Sequence, residues 1–211
     1  MRVDHCCQGS PEWLQLKCGK IGASRVDDVL KTLKRGGESE TRRKFKLQIA
    51  AERMTEIVKS NYVSDVMQWG LDQEPIARTE YELKTGNDVR QVGWVYHPTI
   101  EDAGCSPDGL INPDGGLEIK APESTTHIDY LLAGKVPAEY EAQVMWSLAC
   151  TEREWWDFVS FDPRMPKKHQ LLIVRMYRDE ARIKAMNEAV NQFLAEVDEV
   201  IRQLTQEAVP A

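Results

Sequence analysis

Gly104-Cys105-Ser106-Pro107-Asp108-Gly109-Leu110 and, a little further on, Gly115-Gly116-Leu117-Glu118-Ile119-Lys120-Ala121-Pro122 decide how the rest of the 211-residue chain is read. Between and into these runs lies Asn112-Pro113-Asp114-Gly115-Gly116, a cluster of the residues that reverse a chain, so the stretch predicts two short strands joined by a turn. Side chains alternate across a strand, which sends Leu117 and Ile119 to the core and Glu118 and Lys120 to the opposite face. Pairing the arms brings Asp108 close to Glu118. Two carboxylates and one ammonium then share a small patch.

Carboxylates held close repel and raise each other's pKa, so the patch calls for compensation. A divalent cation supplies it most simply. Hard oxygen donors suit Mg²⁺ or Mn²⁺, and no Cys/His cluster is present here to favour zinc. Magnesium is usually held by one or two carboxylates, several waters and the substrate's phosphates, which points to a phosphate-bearing substrate. Lys120 would stand where an attacking water or a developing negative charge needs a positive neighbour. The same residues also fit a solvent-facing hairpin in which Asp114, Glu118 and Lys120 only confer solubility. Spacing alone favours this second reading, since an acidic residue, a gap and Glu-x-Lys often occur by chance.

Pro107-Asp108, nine further residues and Glu118-Ile119-Lys120 resemble the PD-(D/E)xK signature of Mg²⁺-dependent nucleases. The fuller pair of runs is similar to one branch, the phage lambda exonuclease (YqaJ-like viral recombinase) family. Gly22-Ala23-Ser24, Trp69-Gly70 with Glu74, Ala142-Gln143-Val144 and Phe161-Asp162-Pro163-Arg164-Met165 follow the same family's order, from about Trp13 to the last helix.

The resemblance implies an α/β (α+β) fold with a restriction-endonuclease-like core, a mixed central β-sheet flanked by α-helices. It implies that Asp108, Glu118 and the backbone carbonyl of Ile119 hold Mg²⁺, with Mn²⁺ able to substitute, and that Glu74 is a third carboxylate. A second ion would stand roughly 3.5 to 4 Å from the first. Lys120 and Gln143 would orient or activate the water. Lys17, Ser24, Ser106 and Arg164 would contact DNA or its 5′-phosphate, and Met67 would wedge between strands. The family commonly has arginine where this chain has Lys17, and a lysine holds phosphate only as a point charge. The implied activity is 5′-to-3′ digestion of one strand of linear double-stranded DNA to mononucleotides, leaving 3′ single strand for phage-type recombination. A homotrimeric ring, a single-strand annealing partner and residence in a bacterial host's cytoplasm complete the expectation. An endonuclease on the same core, or an inactive DNA-binding module, are the alternatives.

Composition is that of an ordinary folded protein, with 42% hydrophobic and 29% charged residues. Its length suits one domain: N-terminal helices over 10–86, a catalytic sheet with helices over 87–175 and a terminal helix over 178–206. No apolar run approaches the roughly 20 residues of a membrane helix, and Met1-Arg2-Val3-Asp4-His5 lacks a signal peptide's apolar stretch. Five irregularly spaced cysteines predict neither disulfides nor a zinc ribbon. Cys6-Cys7 is expected in a frayed N-terminus. A net charge of −7 argues against coating DNA by bulk attraction. Local basic tracks remain: Lys31, Lys34 and Arg35; Arg42-Arg43-Lys44 with Lys46; Arg164 with Lys167-Lys168. Each also fits a solvated face.

Along the chain, Ser10-Pro11 starts a helix to about Lys17, and Ser24 reads as the N-cap of a helix carrying Val26, Val29, Leu30 and Leu33. A helix from Thr41 to about Lys59 has its apolar face at Leu47, Ala50, Ala51, Met54, Ile57 and Val58. The next, Ser64 to about Lys84, buries Val66, Trp69, Ile76, Ala77 and Leu83, and Pro75 is expected to kink it and aim Glu74 inward. Val89–Tyr96 reads as one strand. His127 has no partner in its local sequence and is read as a surface histidine. Trp155–Phe161 and Gln170–Val174 add strands to the catalytic sheet.

Overall fold

The computed structural model describes residues 1–31, 37–58 and 64–206. The order is β1 (Val3–Asp4), α1 (Pro11–Leu16), β2 (Ile21–Gly22), a 3₁₀ turn at Ala23–Arg25, α2 (Val26–Leu30), α3 (Glu40–Thr55) and α4 (Asp65–Thr85). After these come β3 (Val89–Arg90), β4 (Trp94–Tyr96), β5 (Ala103–Cys105), β6 (Gly109–Ile111) and β7 (Gly115–Lys120). The chain closes with α5 (Ser124–Ala133), α6 (Ala138–Thr151), β8 (Trp155–Phe161), a 3₁₀ turn at Lys167–His169, β9 (Leu171–Tyr177) and α7 (Glu180–Gln206). Ser10, Ser39 and Ser64 cap α1, α3 and α4 by accepting from the backbone N–H three residues on, satisfying donors the helix leaves open. Gly86, at φ 72°, ends α4 in the left-handed conformation that glycine tolerates best.

Five strands form the sheet that carries the hairpin, in the order β3-β6-β7-β8-β9. Gly109, Leu110 and Ile111 pair antiparallel with Leu117, Gly116 and Gly115, which fixes the register of the two arms. β7 and β8 run parallel, joined through α5 and α6, and β9 returns antiparallel. The remaining short strands make a second sheet, β1-β4-β5-β2. The mixed, helix-flanked architecture expected from the sequence is therefore present, with β1, β2, β4 and β5 in a sheet of their own.

Helix α4 lies on one face of the larger sheet, with Ala77 and Tyr81 against Leu117, Ile119 and Val159. On the other face Trp156 joins the main core, built from α2, α3, α6 and α7 around Phe45, Trp146 and Phe193. A satellite cluster of Tyr130, Val136 and Phe158 seats α5. With apolar surface on both sides, β7 and β8 are almost wholly buried. Glu118 is 2% exposed.

Several expectations are corrected. Ser24 lies inside the 3₁₀ turn and does not cap; Gly22 occupies the cap position. The buried face of α3 is Phe45, Ile49 and Ala50, while Leu47, Met54 and Ile57 are exposed. On α4, Val66, Ile76 and Leu83 are exposed, because the sheet is met by the Ala77-Tyr81 stripe. Val89–Tyr96 divides into β3 and β4, which belong to different sheets. The N-terminus is not frayed: β1 pairs with β4, and Asp4 accepts from the Cys6 amide at 2.9 Å. Gly115 and Gly116 are strand residues, not turn residues. A Cβ on either would stand 2.1 Å from an indole carbon, of Trp155 or Trp156, so glycine is demanded by close packing. Leu33, Lys34, Arg35 and Lys59 lie outside the described residues.

Candidate active site

The hairpin register places Asp108, one step before Gly109, across from Glu118. Asp108 Oδ2 accepts the Ile119 amide at 2.6 Å, tying one arm to the other. Glu118 Oε1 accepts from Lys120 Nζ and from Gln143 Nε2, both at 2.5 Å. α6 thus delivers Gln143 to a carboxylate on β7, and an ammonium, an amide and two carboxylates meet in one place. Burial, then the neighbouring Glu118 and Glu74 charges, push the Asp108 carboxyl well above the usual aspartate range. Burial alone would lower the Lys120 ammonium, but Glu118 and Asp108 together hold it above the ordinary lysine value. Lys120 is therefore fully protonated at neutral pH.

Glu74 reaches this group from α4. Burial raises its carboxyl, Arg78 opposes the shift, and Glu118 adds to it. Arg78, four residues on, donates to Glu74 Oε1. Sequence reading passed over Arg78, although Glu and Arg spaced i, i+4 on one helix face was an available signal.

The donor set fits a hard divalent cation. Asp108 Oδ1, Glu118 Oε2 and Glu74 Oε2 receive no hydrogen bond among the described residues, although Glu118 is buried and Asp108 partly so. Among those residues no group of three His, Cys, Asp or Glu side chains is placed to hold a metal ion by itself. Magnesium does not require one, since waters and substrate oxygens commonly fill most of its six positions.

A second cluster adjoins the first through Ser106, two residues before Asp108. Trp13 Nε1 donates to Ser106 Oγ at 2.9 Å and to the Gly93 carbonyl at 3.0 Å. Lys17 Nζ lies 3.5 Å from the centre of the Trp13 ring and 5.8 Å from that of Trp94. Burial without a carboxylate partner lowers this ammonium to about 8. Ser24 is exposed in the 3₁₀ turn directly after Gly22, which itself packs near Trp94. Trp13 is thus the organiser of this cluster, a role its sequence position did not signal.

Met67 is half exposed in the first turn of α4, beside the exposed Val66 and Leu71. Arg164 is engaged at every nitrogen: Nε with Asp162 at 2.7 Å, Nη1 with Glu123 at 3.3 Å and Nη2 with the Pro122 carbonyl at 3.0 Å. Its guanidinium also stacks over Trp69 at 4.8 Å, bracing α4. The other basic tracks are largely paired too, Lys31 with Asp27 and Asp28, Arg42 and Lys46 with Glu38 and Glu196, and Lys167 with Glu80. His127 is fully buried, its Nδ1 2.7 Å from Ser160 Oγ and its Nε2 2.8 Å from the His169 carbonyl, which corrects the surface assignment. Both partners are distant in sequence, so nothing local announced them.

The sequence and fold resemble those of known proteins. An alkaline exonuclease from Laribacter hongkongensis, LHK-Exo, superposes with a TM-score of 0.86 at 38% identity, over 94% of this chain and 98% of that one. The structure of LHK-Exo in complex with dAMP gives 0.88 over the same shares. A phage-related exonuclease from Haemophilus somnus 129PT shares the fold at a TM-score of 0.69 and 14% identity, over 88% of this chain and 96% of that one. ExoD of Escherichia coli (strain K12) is 32% identical over 69 residues, 33% of this chain and 78% of that protein. The model of the YqaJ-like viral recombinase domain matches residues 12–154. Carrying that domain over most of its length, the chain belongs to the YqaJ-like viral recombinase family.

Proposed function

We propose that this protein is a metal-dependent exodeoxyribonuclease that digests one strand of linear duplex DNA from a 5′ end, releasing mononucleotides and leaving 3′ single strand. The observation that carries the reading is the convergence of Asp108, Glu118, Lys120 and Gln143, with Glu74 alongside, next to the Lys17-Ser106 cluster. Likeness to an alkaline exonuclease whose structure holds dAMP, a mononucleotide, supports it.

Asp108, Glu118, the Ile119 carbonyl and Glu74 would hold Mg²⁺, or Mn²⁺ in its place. When bound, the ion supplies Lewis-acid polarisation of the scissile phosphate and acidification of water. Lys120 acts as a donor toward the negative charge that develops on the phosphate, or orients the attacking water. Gln143 fixes the Glu118 carboxylate and, through its own carbonyl oxygen, can orient the attacking water. The DNA end is held beside this group: Lys17 offers a cation, Ser106 a hydroxyl whose oxygen already accepts from Trp13, and Ser24 a second hydroxyl on the 3₁₀ turn. Met67, with Val66 and Leu71, presents an apolar edge suited to parting the strands. Arg164 is a brace for α4 more than a free DNA contact. A homotrimeric ring around the duplex and a single-strand annealing partner belong to the same reading, as does work in a bacterial host's cytoplasm. No helix among the described residues is long and apolar enough to cross a membrane.

The test is release of acid-soluble nucleotides from linear, 5′-phosphorylated duplex with and without Mg²⁺, beside closed circular DNA and the Asp108→Ala variant. Mg²⁺-dependent release from the linear form alone, lost in the variant, is the expected result. Cutting of the circle would transfer the proposal to an endonuclease. Binding without hydrolysis of either DNA would leave a DNA-binding module.

A further inference from the structure

Arg78 is buried, 8% exposed, and its guanidinium joins three segments that meet nowhere else in sequence. It donates to Glu74 Oε1 one turn back on α4. Its Nε donates to the backbone carbonyl of Asp108 at 3.2 Å, in the link between β5 and β6. Gln91, in the link between β3 and β4, accepts from Nη1 and Nη2 at 3.0 Å when its amide oxygen faces inward. A planar fork with five donors in fixed directions can serve three acceptors at once, which a lysine cannot.

We propose that Arg78 is the positioning residue of the cation site: it fixes the helix-borne Glu74 carboxylate relative to Asp108 by engaging Oε1, so that Oε2 would remain available to a cation. The inference rests on the metal-dependent nuclease reading and adds to it a residue that touches neither substrate nor ion. Three observations support a role beyond ordinary helix packing. Arg78 holds the side chain of one carboxylate residue and the backbone of another. These residues are 34 apart in sequence and on different elements, so no other covalent or ladder contact fixes their separation. Moreover, Glu74, Asp108 and Glu118 bring three negative charges together, and Lys120 is spent on Glu118, so Arg78 is the cation that lets Glu74 approach the others. Partners that hold a metal-binding side chain from behind typically affect metal affinity or activity by roughly 10- to 100-fold.

The experiment titrates Mg²⁺ and Mn²⁺ calorimetrically into DNA-free protein and follows exonuclease kinetics, for wild type, Arg78→Met, Arg78→Lys, Glu74→Gln and the Arg78→Met/Glu74→Gln double variant. The expected result is roughly 10-fold or greater weakening of ion binding and a comparable fall in kcat for Arg78→Met, with KM for DNA ends little changed. Arg78→Lys recovers only part, since it restores charge without the fork. The double variant falls no further than Glu74→Gln alone, because the two residues act as one unit. A folded Arg78→Met with wild-type ion affinity and kcat overturns the inference. Additive losses in the double variant overturn it as well. If Arg78→Met does not fold, Arg78→Lys decides: full wild-type affinity and kcat there count against the fork. Failure of the wild type itself to bind Mg²⁺ or to digest linear DNA would instead strike the nuclease reading.

Discussion

Lys17 holds its ammonium 3.5 Å over the Trp13 ring, and among the described residues no carboxylate pairs with it. Ser106, bonded to the other edge of the same indole, completes a positively charged ledge beside Asp108. Burial lowers Lys17 to about 8, which gives the ledge a pH dependence. In the free enzyme the charge is present below that value and lost as pH rises through it. The ratio of kcat/KM for 5′-phosphorylated ends to that for 5′-hydroxyl ends should therefore fall between pH 7 and 9.5, since kcat/KM reports groups of the free enzyme. Lys17→Arg, always charged, should keep the ratio constant, and Lys17→Met should hold it low throughout. A flat ratio in the wild type would remove Lys17 from phosphate recognition. For stability the sign is the reverse: the unfolded lysine binds protons up to its ordinary value of 10.5, so the cost of burying the charge eases as pH climbs from about 8 toward that value.

Asp108→Asn separates chemistry from folding. The asparagine oxygen can still accept the Ile119 amide, while one of three crowded negative charges is gone. Hydrolysis should drop by about three orders of magnitude or more, as expected when charge stabilisation of the transition state is removed. In EDTA the melting temperature should rise by about 2–4 °C, the shift that roughly 1 kcal/mol produces in a protein of this size. A variant that is both inactive and less stable in EDTA would contradict the crowding argument.

Gly115→Ala and Gly116→Ala test the packing of β7 on the indoles. Each added methyl would stand 2.1 Å from a ring carbon, and the rings of Trp155 and Trp156 are themselves buried. Overpacking of this kind costs about 1–3 kcal/mol, readable in urea unfolding. Gly134→Ala is the control: it meets nothing within 4 Å, and only its φ of 58° disfavours the change. Equal losses at all three positions would show that backbone conformation, not the indoles, sets the requirement.

His127→Leu should destabilise without touching catalysis. It strands the buried Ser160 Oγ and removes the donor to the His169 carbonyl, at a cost of about 1–3 kcal/mol for the unsatisfied buried hydroxyl. Denaturant midpoints should fall while kcat on linear DNA at low temperature stays near that of the wild type. A large loss of kcat in folded protein would bring His127 into the reaction.

What the sequence disclosed, and what it hid, follows the range of the interactions. The hairpin was legible because Asp108 and Glu118 are ten residues apart and the Asn-Pro-Asp turn between them is local chemistry. β8 was legible because Trp155, Trp156, Phe158, Val159 and Phe161 make a short aromatic and β-branched run, interrupted only by Asp157 and Ser160. The buried faces of α3 and α4 were misread because both helices also carry exposed apolar residues, Leu47 and Met54 on one, Val66 and Leu83 on the other, that fit a helical period equally well. Gly93 was the one local sign of a break between β3 and β4, and a lone glycine does not say that the two strands join different sheets. The Gln143 and Glu74 roles came only with the family resemblance, since Gln143 meets its partner 25 residues away in sequence. Trp13 and Arg78 organise their neighbours from similar distances, with no local pattern to flag them.

The parallel pairing of β7 with β8 has a consequence for how the protein is made. Residues leave the ribosome in order, so Glu74, Asp108 and Glu118 all emerge before Trp155. Until β8 arrives, β7 has only β6, which in turn has β3, and a ribbon of two- and three-residue pairings is marginal in water. The indoles that clamp Gly115 and Gly116 arrive with β8 as well. A nascent chain ending before Trp155 thus carries every carboxylate proposed for the cation site, while the strand and the indoles that clamp β7 are still missing.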